Sequence, residues 1–335
     1  MTDHHLFIDY DPIFRMMDGY NMVFVGDSLV HNQFLPLACQ LYQLDENCQE
    51  VARGRKDRSV YSAKYNLQLS YFVTETMVNH SNFTKLYHAA HEHPTSSPHD
   101  SSNNNDSSKK AQASSAWGMS ITVNFGYMKY LQSSNTSNLN PIIKIANPVK
   151  QIVLLSTGNH LLHSVHGTYQ YSFIKTLLEF VCKEMYNHFQ RSGINPTIIW
   201  RSNAPRQYQM GDWDRRGVCS SDKYCHVRHD YVPHPKISPV NGSMYIAPAD
   251  MYDYLAENIY NGRFISEALA ELSRKYRFKF LNTTAVTDHR CDAVSGRSVY
   301  GHVFDCSHYC MPGVPDAWNA LLFKHLFHST KTKPS

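Results

Sequence analysis

The sequence lacks several features that would place it in a special class of protein. None of its apolar runs approaches the ~18 residues that a membrane-spanning helix needs. The first residues have neither a basic start nor an apolar segment, so we expect no signal peptide and no anchor in this chain. Long blocks of like charge are missing too, and the net charge is +4 over 335 residues. These absences argue against nucleic acid as a partner.

The chain also lacks a repeat of fixed period and a linker that would divide it. We therefore expect one domain over residues 1–335, since α/β folds of this size often form one unit. Hydrophobic residues make up 42% of the chain and aromatic residues 13%, which is enough for a large core. Residues 94–115 are dominated by Ser, Asn and Asp, so we expect a disordered insertion there.

Short apolar runs alternate with helical patterns along the chain. The runs predict buried strands at 22–25, 151–155, 196–200 and 278–281, and polar alternation predicts a half-solvated strand within 65–78. A further strand is expected at 121–127. Helical spacing predicts helices at 32–44, 169–192, 250–276 and 317–327. This order predicts an α/β fold, a three-layer α/β/α sandwich with a mainly parallel central sheet.

The first predicted strand ends in Gly26-Asp27-Ser28, directly before a helical pattern. A strand that turns sharply into a helix places the turn at the carboxyl edge of the sheet, where open α/β folds build their sites. Ser28 could expose its hydroxyl there as a nucleophile. Its backbone N–H could face a substrate oxygen, and the following helix N-terminus favours negative charge. We therefore interpret Ser28 as a nucleophile, although such turns are common.

A serine nucleophile needs a base, and the base needs an orienting carboxylate. The candidate pair is Asp305 and His308, whose spacing of three lets the carboxylate reach the imidazole. Most of the 20 histidines are expected at the surface or in the core. This pair differs because it lies just before the last helix, among Cys306 and Cys310.

Further donors are needed for the oxyanion. Gly158 and Asn159 follow a central strand, so their backbone and the Asn159 amide could face Ser28; an ordinary loop is an equally good interpretation. Asn32, in the helix after Ser28, is grouped with them as a substrate-binding residue.

The chain has eight cysteines. Cys219, Cys225, Cys306 and Cys310 with His308 suggest zinc, but neither cysteine pair has the two-residue gap of a zinc knuckle. Disulfides explain them at least as well, although eight cysteines allow 105 pairings. We predict no metal, and we expect Cys306 and Cys310 each to be in, or within reach of, a disulfide to another part of the chain, which would fix the His308 loop.

Two stretches together carry a specific resemblance: FVGDSLVHNQ at 24–33 and DCSHYCMPGVPDAWN at 305–319. They resemble the trichome-birefringence-like polysaccharide O-acetyltransferases, of the PC-esterase group in the GDSL/SGNH superfamily. The resemblance spans roughly residues 14–327. It implies an SGNH-hydrolase-like fold, a triad of Ser28, His308 and Asp305, structural disulfides, and no cofactor. It also implies acetyl transfer through an acyl-serine from an acetyl donor to a carbohydrate acceptor in the Golgi lumen.

Some positions depart from the family pattern. His31 stands where plant members usually have Arg or Lys, Ser156 where they usually have Asn, and Asn159-His160 where they usually have His-Trp. We therefore expect a relative outside the plant set. Six glycosylation sequons agree with a secretory lumen; they begin at Asn79, Asn82, Asn105, Asn135, Asn241 and Asn282.

Two other functions stay open at this point. A carbohydrate esterase or deacetylase would use the same triad, with water in place of a sugar hydroxyl. A non-catalytic glycan-binding relative would have no chemical need for Ser28, His308 and Asp305 together. The oligomeric state is not predicted.

Overall fold

The apolar runs form strands and the helical patterns form helices around them. The computed structural model describes residues 8–54, 57–74, 77, 123, 125–132, 142–145, 150–156, 171–204, 263–287 and 308–328. In chain order its elements are α1 (Tyr10–Met16), β1 (Tyr20–Gly26), α2 (Ser28–Leu44), β2 (Gln49–Arg53), β3 (Asp57–Ser62), β4 (Leu67–Val73), a 3₁₀ helix (Gly126–Tyr130), β5 (Lys150–Ser156), α3 (Tyr171–Ser192), β6 (Thr197–Arg201), α4 (Arg263–Tyr276), β7 (Lys279–Leu281), α5 (Thr284–Thr287) and α6 (Val314–His328).

The strands form one mixed sheet in the order β2-β3-β4-β1-β5-β6-β7. Strand β1 pairs in parallel with β4 and β5, and β5–β6 and β6–β7 are parallel as well. Only the β2–β3 and β3–β4 pairs are antiparallel among the described strands. The four predicted central strands are therefore neighbours, and the prediction of an α/β fold with a mainly parallel sheet is confirmed.

Helices cover both faces of this sheet. In β1, Met22 and Phe24 belong to the apolar cluster that contains residues of α1, α2 and α6. Val23 and Val25 belong to the cluster that contains residues of α3 and α4. Successive strand side chains point to opposite faces, so a strand between two helical layers needs an unbroken apolar run. This explains why the central strands could be found from the sequence.

The strand expected at 121–127 is wrong at its end, because Gly126–Tyr130 is a 3₁₀ helix; Val123, which the structure also describes, forms a β-bridge. The two buried residues of the 3₁₀ helix, Tyr127 and Tyr130, are three positions apart, and this spacing places both on the same side of a 3₁₀ turn. The Tyr130 hydroxyl donates a hydrogen bond to the Asp57 carboxylate at 2.8 Å, which ties the turn to β3. The expected insertion at 94–115 and the start of the 250–276 helix lie outside the described residues.

The parallel strands bring their carboxyl ends to one edge of the sheet. Residue Gly26 of β1 is paired with Val73 of β4 and with Ser156 of β5. Strand β6 ends alongside them at Arg201. This carboxyl edge is where the predicted nucleophile follows β1.

Candidate active site

The turn after β1 is built by a glycine and an aspartate. A Cβ on Gly26 would clash with the carbonyl oxygen of Ser156 and with the side chain of Val30, so only glycine fits between β5 and α2. Asp27 is buried and caps α2: its carboxylate accepts a hydrogen bond from the Leu29 N–H at 3.0 Å. Ser28 is therefore held as the first residue of the helix.

The backbone N–H groups of this first turn differ in their use. The Leu29 N–H is used by the Asp27 carboxylate, as described above. The N–H groups of Val30 and His31 donate to the Asp27 backbone carbonyl, at 3.1 and 3.2 Å. For the Ser28 N–H, the structure gives no hydrogen-bond partner among the described residues. The Ser28 side chain is half-buried. A helix N-terminus with one unused N–H can bind an oxyanion next to the serine hydroxyl.

Asn32 connects this turn to the far end of the chain. Its side-chain Nδ2 donates to the Tyr309 carbonyl at 3.2 Å, and the Tyr309 N–H donates to Asn32 Oδ1 at 3.1 Å. Asn32 and Ser28 are four residues apart and share one face of α2. Because His308 precedes Tyr309, the structure brings the predicted base to the helix turn that begins with the predicted nucleophile.

Side chains around Tyr309 hold it in place. Its ring packs edge-on against Trp318 of α6, with centroids 5.4 Å apart. Both residues belong to a small buried cluster with Leu29, Ala204 and Val314. The indole Nε1 of Trp318 donates to Thr287 Oγ1 at 2.8 Å.

His31 lies against the same part of the site. Its ring stacks on Tyr71, with centroids 4.5 Å apart, and more distantly on Phe34, at 6.3 Å. Burial lowers the pKa of His31, and the positive charges of Arg58 and His308 lower this pKa further.

Arg201 is the residue that sequence reasoning missed as part of this site. It is fully buried at the end of β6. Its Nη1 donates to Gln33 Oε1 at 2.9 Å and its Nη2 donates to Ser156 Oγ at 3.2 Å. The guanidinium carbon lies 4.3 Å from the ring centroid of Trp318. Arginine is usually exposed, so nothing in the sequence indicated that Arg201, directly after the strand predicted at 196–200, would be buried.

The charge of Arg201 is also unusual. Burial lowers the pKa of Arg201 to about 10, and the negative charge of Asp27 opposes that shift. The side chain therefore carries its positive charge at neutral pH, directly behind the turn that holds Ser28.

The predicted site residues divide into two groups. The structure places Ser28, Asn32 and His308 at one edge of the sheet. Asp305, Gly158 and Asn159 lie outside the described residues. Asn32, grouped with the substrate-binding residues from sequence, is 7% exposed and uses its amide to pair with Tyr309.

The cysteine prediction needs a correction. Cys310 has a free, exposed thiol, so the expectation that it forms a disulfide is wrong. The His308 segment is attached to α2 by the hydrogen bonds between Asn32 and Tyr309, and not by the expected disulfide of Cys310. Cys39, Cys48 and Cys182 are also free. The other three cysteines of the alternative zinc site lie outside the described residues: Cys219, Cys225 and Cys306.

None of the described helices is both long enough and apolar enough to cross a membrane.

Comparison with known proteins agrees with the resemblance found from the motifs. Residues 8–325 match the model of the PC-Esterase family, described as a GDSL/SGNH-like Acyl-Esterase family found in Pmr5 and Cas1p. Protein trichome birefringence-like 13 of Arabidopsis thaliana is 24% identical, over 96% of this chain and 71% of that protein. Protein trichome birefringence-like 12 of the same plant is 21% identical, over 97% of this chain and 73% of that protein. Protein trichome birefringence is 22% identical over 94% of this chain, which spans 46% of its length. The chain therefore belongs to the PC-esterase family, as its serine turn and its carboxyl-terminal motif indicated.

Proposed function

We propose that the chain is an O-acyltransferase that moves an acetyl group through an acyl-serine on Ser28 onto hydroxyls of a polysaccharide or glycan. The observation that carries the proposal is the double hydrogen bond between Asn32 and Tyr309, which attaches the His308 segment to the helix turn of Ser28. Family membership supports acyl-ester chemistry. The relatives of the trichome-birefringence-like group, which the motifs resemble, support a polysaccharide as the class of acceptor.

In the first half of the reaction, Ser28 Oγ attacks the carbonyl carbon of the acetyl donor while His308 accepts the hydroxyl proton. The oxyanion is stabilised by the unused N–H of Ser28 and the N-terminus of α2, and we assign Gly158 and Asn159 as further donors. When the tetrahedral intermediate collapses, the bond to the donor's leaving group breaks and that group takes the proton from His308. Asp305 orients the imidazole and stabilises its charged form.

In the second half, His308 accepts the proton of a sugar hydroxyl whose oxygen attacks the acetyl-serine. The ester bond to Ser28 breaks, Ser28 Oγ recovers the proton, and the acetylated sugar leaves. Asn32 keeps the His308 segment next to α2 through both halves. The six sequons support a place in the secretory lumen, where such acceptors are assembled.

An esterase or deacetylase is the second candidate, because the family is described as an acyl-esterase family. The acyl-serine is common to both functions, and only the group that resolves it differs. Water exclusion by an acceptor groove is what would favour transfer over hydrolysis.

The deciding experiment incubates the protein with p-nitrophenyl acetate and a panel of neutral and acidic oligosaccharides, and measures products by mass. Acetylated sugar supports the transferase, and acetate alone supports the esterase. Ser28→Ala should abolish both products. Its matched control is Ser273→Ala, a half-buried helical serine in the last turn of α4, before β7 begins and so at the opposite edge of the sheet. Undiminished activity of Ser28→Ala would refute the proposal.

Asp305→Asn supplies a second test of the triad. The fold should persist while turnover falls by about 10⁴, as in other triads that lose the orienting carboxylate. Circular dichroism and turnover on p-nitrophenyl acetate measure the two properties separately. An unchanged turnover would remove Asp305 from the triad without affecting the assignment of Ser28.

A further inference from the structure

Arg201 is hard to explain as a contribution to stability. Its hydrogen bonds to described residues go to the neutral oxygens of Gln33 and Ser156, and its Nε has no hydrogen-bond partner there. Removing a charge from water costs several kcal/mol, on the order of what a good ion pair only just offsets. An apolar side chain of similar volume would therefore serve the fold at least as well. The presence of arginine points to the site instead.

One edge of the guanidinium acts on the serine side of the site. Ser156 is paired in register with Gly26 at the end of β1, so it lies directly behind the Gly26–Ser28 turn. Gln33 lies one turn further along α2. The two hydrogen bonds of Arg201 therefore connect the end of β5, which is paired with the end of β1, to the helix that follows the turn.

The flat face of the guanidinium acts on the histidine side. It stacks on Trp318, and Trp318 in turn packs against the ring of Tyr309. Tyr309 follows His308 and is bonded to Asn32. A movement of the guanidinium would thus shift both the Ser28 turn and the support of the His308 segment.

We propose that Arg201 is a positioning residue that holds the Ser28 turn and the His308 segment in one register through its two Nη hydrogen bonds and its stack on Trp318. This inference rests on the proposed function. It depends on the planar fork of arginine, because lysine supplies the same charge but neither the fork nor a stacking face.

The test compares Arg201→Lys with wild type in the full chain, using an alkyl fluorophosphonate as the probe. Ser28 Oγ displaces fluoride from phosphorus while His308 accepts the proton. The second-order labelling rate therefore depends on the relative position of these two side chains, and no acceptor sugar is needed. We expect Arg201→Lys to lower this rate, and kcat on p-nitrophenyl acetate, by about 10²-fold with KM nearly unchanged. Arg274→Lys, an exposed change on α4, is the control and should match wild type.

Changes at Gln33 keep the test decisive if Arg201→Lys does not fold. Gln33→Glu keeps an acceptor for Nη1 and should keep the labelling rate, whereas Gln33→Met loses it and should lower the rate about tenfold. Thermal unfolding of each variant is measured alongside. A lower unfolding temperature with an unchanged labelling rate per folded molecule would show a purely structural Arg201 and overturn the inference.

The outcomes also separate the two proposals. If wild type is labelled, Ser28→Ala is not, and Arg201→Lys and Gln33→Met are labelled at the wild-type rate, the positioning role is wrong and the proposed function stands. If wild type is neither labelled nor active on the acetyl ester, the proposed function is wrong, and the role of Arg201 falls with it.

Discussion

Replacing Asn32 by leucine removes both hydrogen bonds that hold the Tyr309 backbone against α2. Leucine has nearly the shape of asparagine, so the change leaves no large cavity. It leaves the N–H and C=O of Tyr309 without these partners, and Tyr309 is 2% exposed. An unsatisfied buried polar group costs about 1–3 kcal/mol, so about 2–6 kcal/mol is the upper limit for the two groups if the segment stays in place.

The protein can avoid that cost by letting the segment move away from α2. The free energy of unfolding, measured in urea, should then fall by less than the full cost of leaving both groups unsatisfied. The distance between His308 and Ser28 would increase, and turnover on p-nitrophenyl acetate should fall by on the order of 10²-fold. Asn32→Asp keeps the acceptor for the Tyr309 N–H but loses the donor to its carbonyl. Its turnover should lie between those of wild type and Asn32→Leu.

Gln68→Met is the matched control for this prediction. Gln68 is a buried residue that binds Ser59 and the backbone at residues 142 and 144, near the start of β4. The variant should lose stability, while turnover per folded molecule stays at the wild-type value. Wild-type turnover in Asn32→Leu would refute the reasoning, since it would show that the Asn32–Tyr309 pair does not position the base.

Three further predictions test other parts of the site. Gly26→Ala should lower the unfolding temperature sharply and reduce the yield of folded protein, because the new methyl group meets the Ser156 carbonyl of β5; a normal unfolding temperature would contradict the geometry of the turn. Because the pKa of His31 is lowered in the folded state, the unfolded chain binds more protons than the folded one below pH ~6.5, and stability falls as the pH drops from there. His31→Phe keeps the ring stack and should make the slope of unfolding temperature against pH shallower. An unchanged slope would show that His31 does not cause this loss of stability. The free thiol of Cys310 should react with a maleimide in the native protein while the buried thiol of Cys182 does not, and modification mapped to Cys182 but not Cys310 would contradict the structure.

The central part of the fold could be predicted because its strands and helices have patterns that are visible in short stretches of sequence. Strands such as β1 and β5 are buried on both faces and read as apolar runs, and the helices on each side show a period of 3.6 residues. Strand β2 was missed because it is a largely exposed edge strand of polar residues, with no hydrophobic pattern to find. The strand predicted at 121–127 ran into the start of the 3₁₀ helix, where the spacing of three between Tyr127 and Tyr130 agrees with the helical turn.

For the candidate site, the sequence allows a prediction only of the groups that have reactive chemistry. A serine at a strand-to-helix turn and an aspartate-histidine pair have recognisable chemistry. The groups that support them do not, because their partners are far away in sequence: Arg201 is bonded to Gln33, 168 residues earlier, and to Ser156, 45 residues earlier. The expected disulfide of Cys310 was wrong for a related reason. The His308 segment is attached by the hydrogen bonds to Asn32 instead.

The pairing of Asn32 with Tyr309 also sets the order in which a growing chain can become reactive. The two residues are 277 positions apart, so at ~5–20 residues per second the ribosome needs about 15–55 s to make the second after the first. During that time the serine turn can fold on β1 and β4 while its base has not yet been synthesised. On the proposed function, the serine of a nascent chain therefore has no base, and acyl-transfer chemistry would begin only when the His308 segment docks on α2.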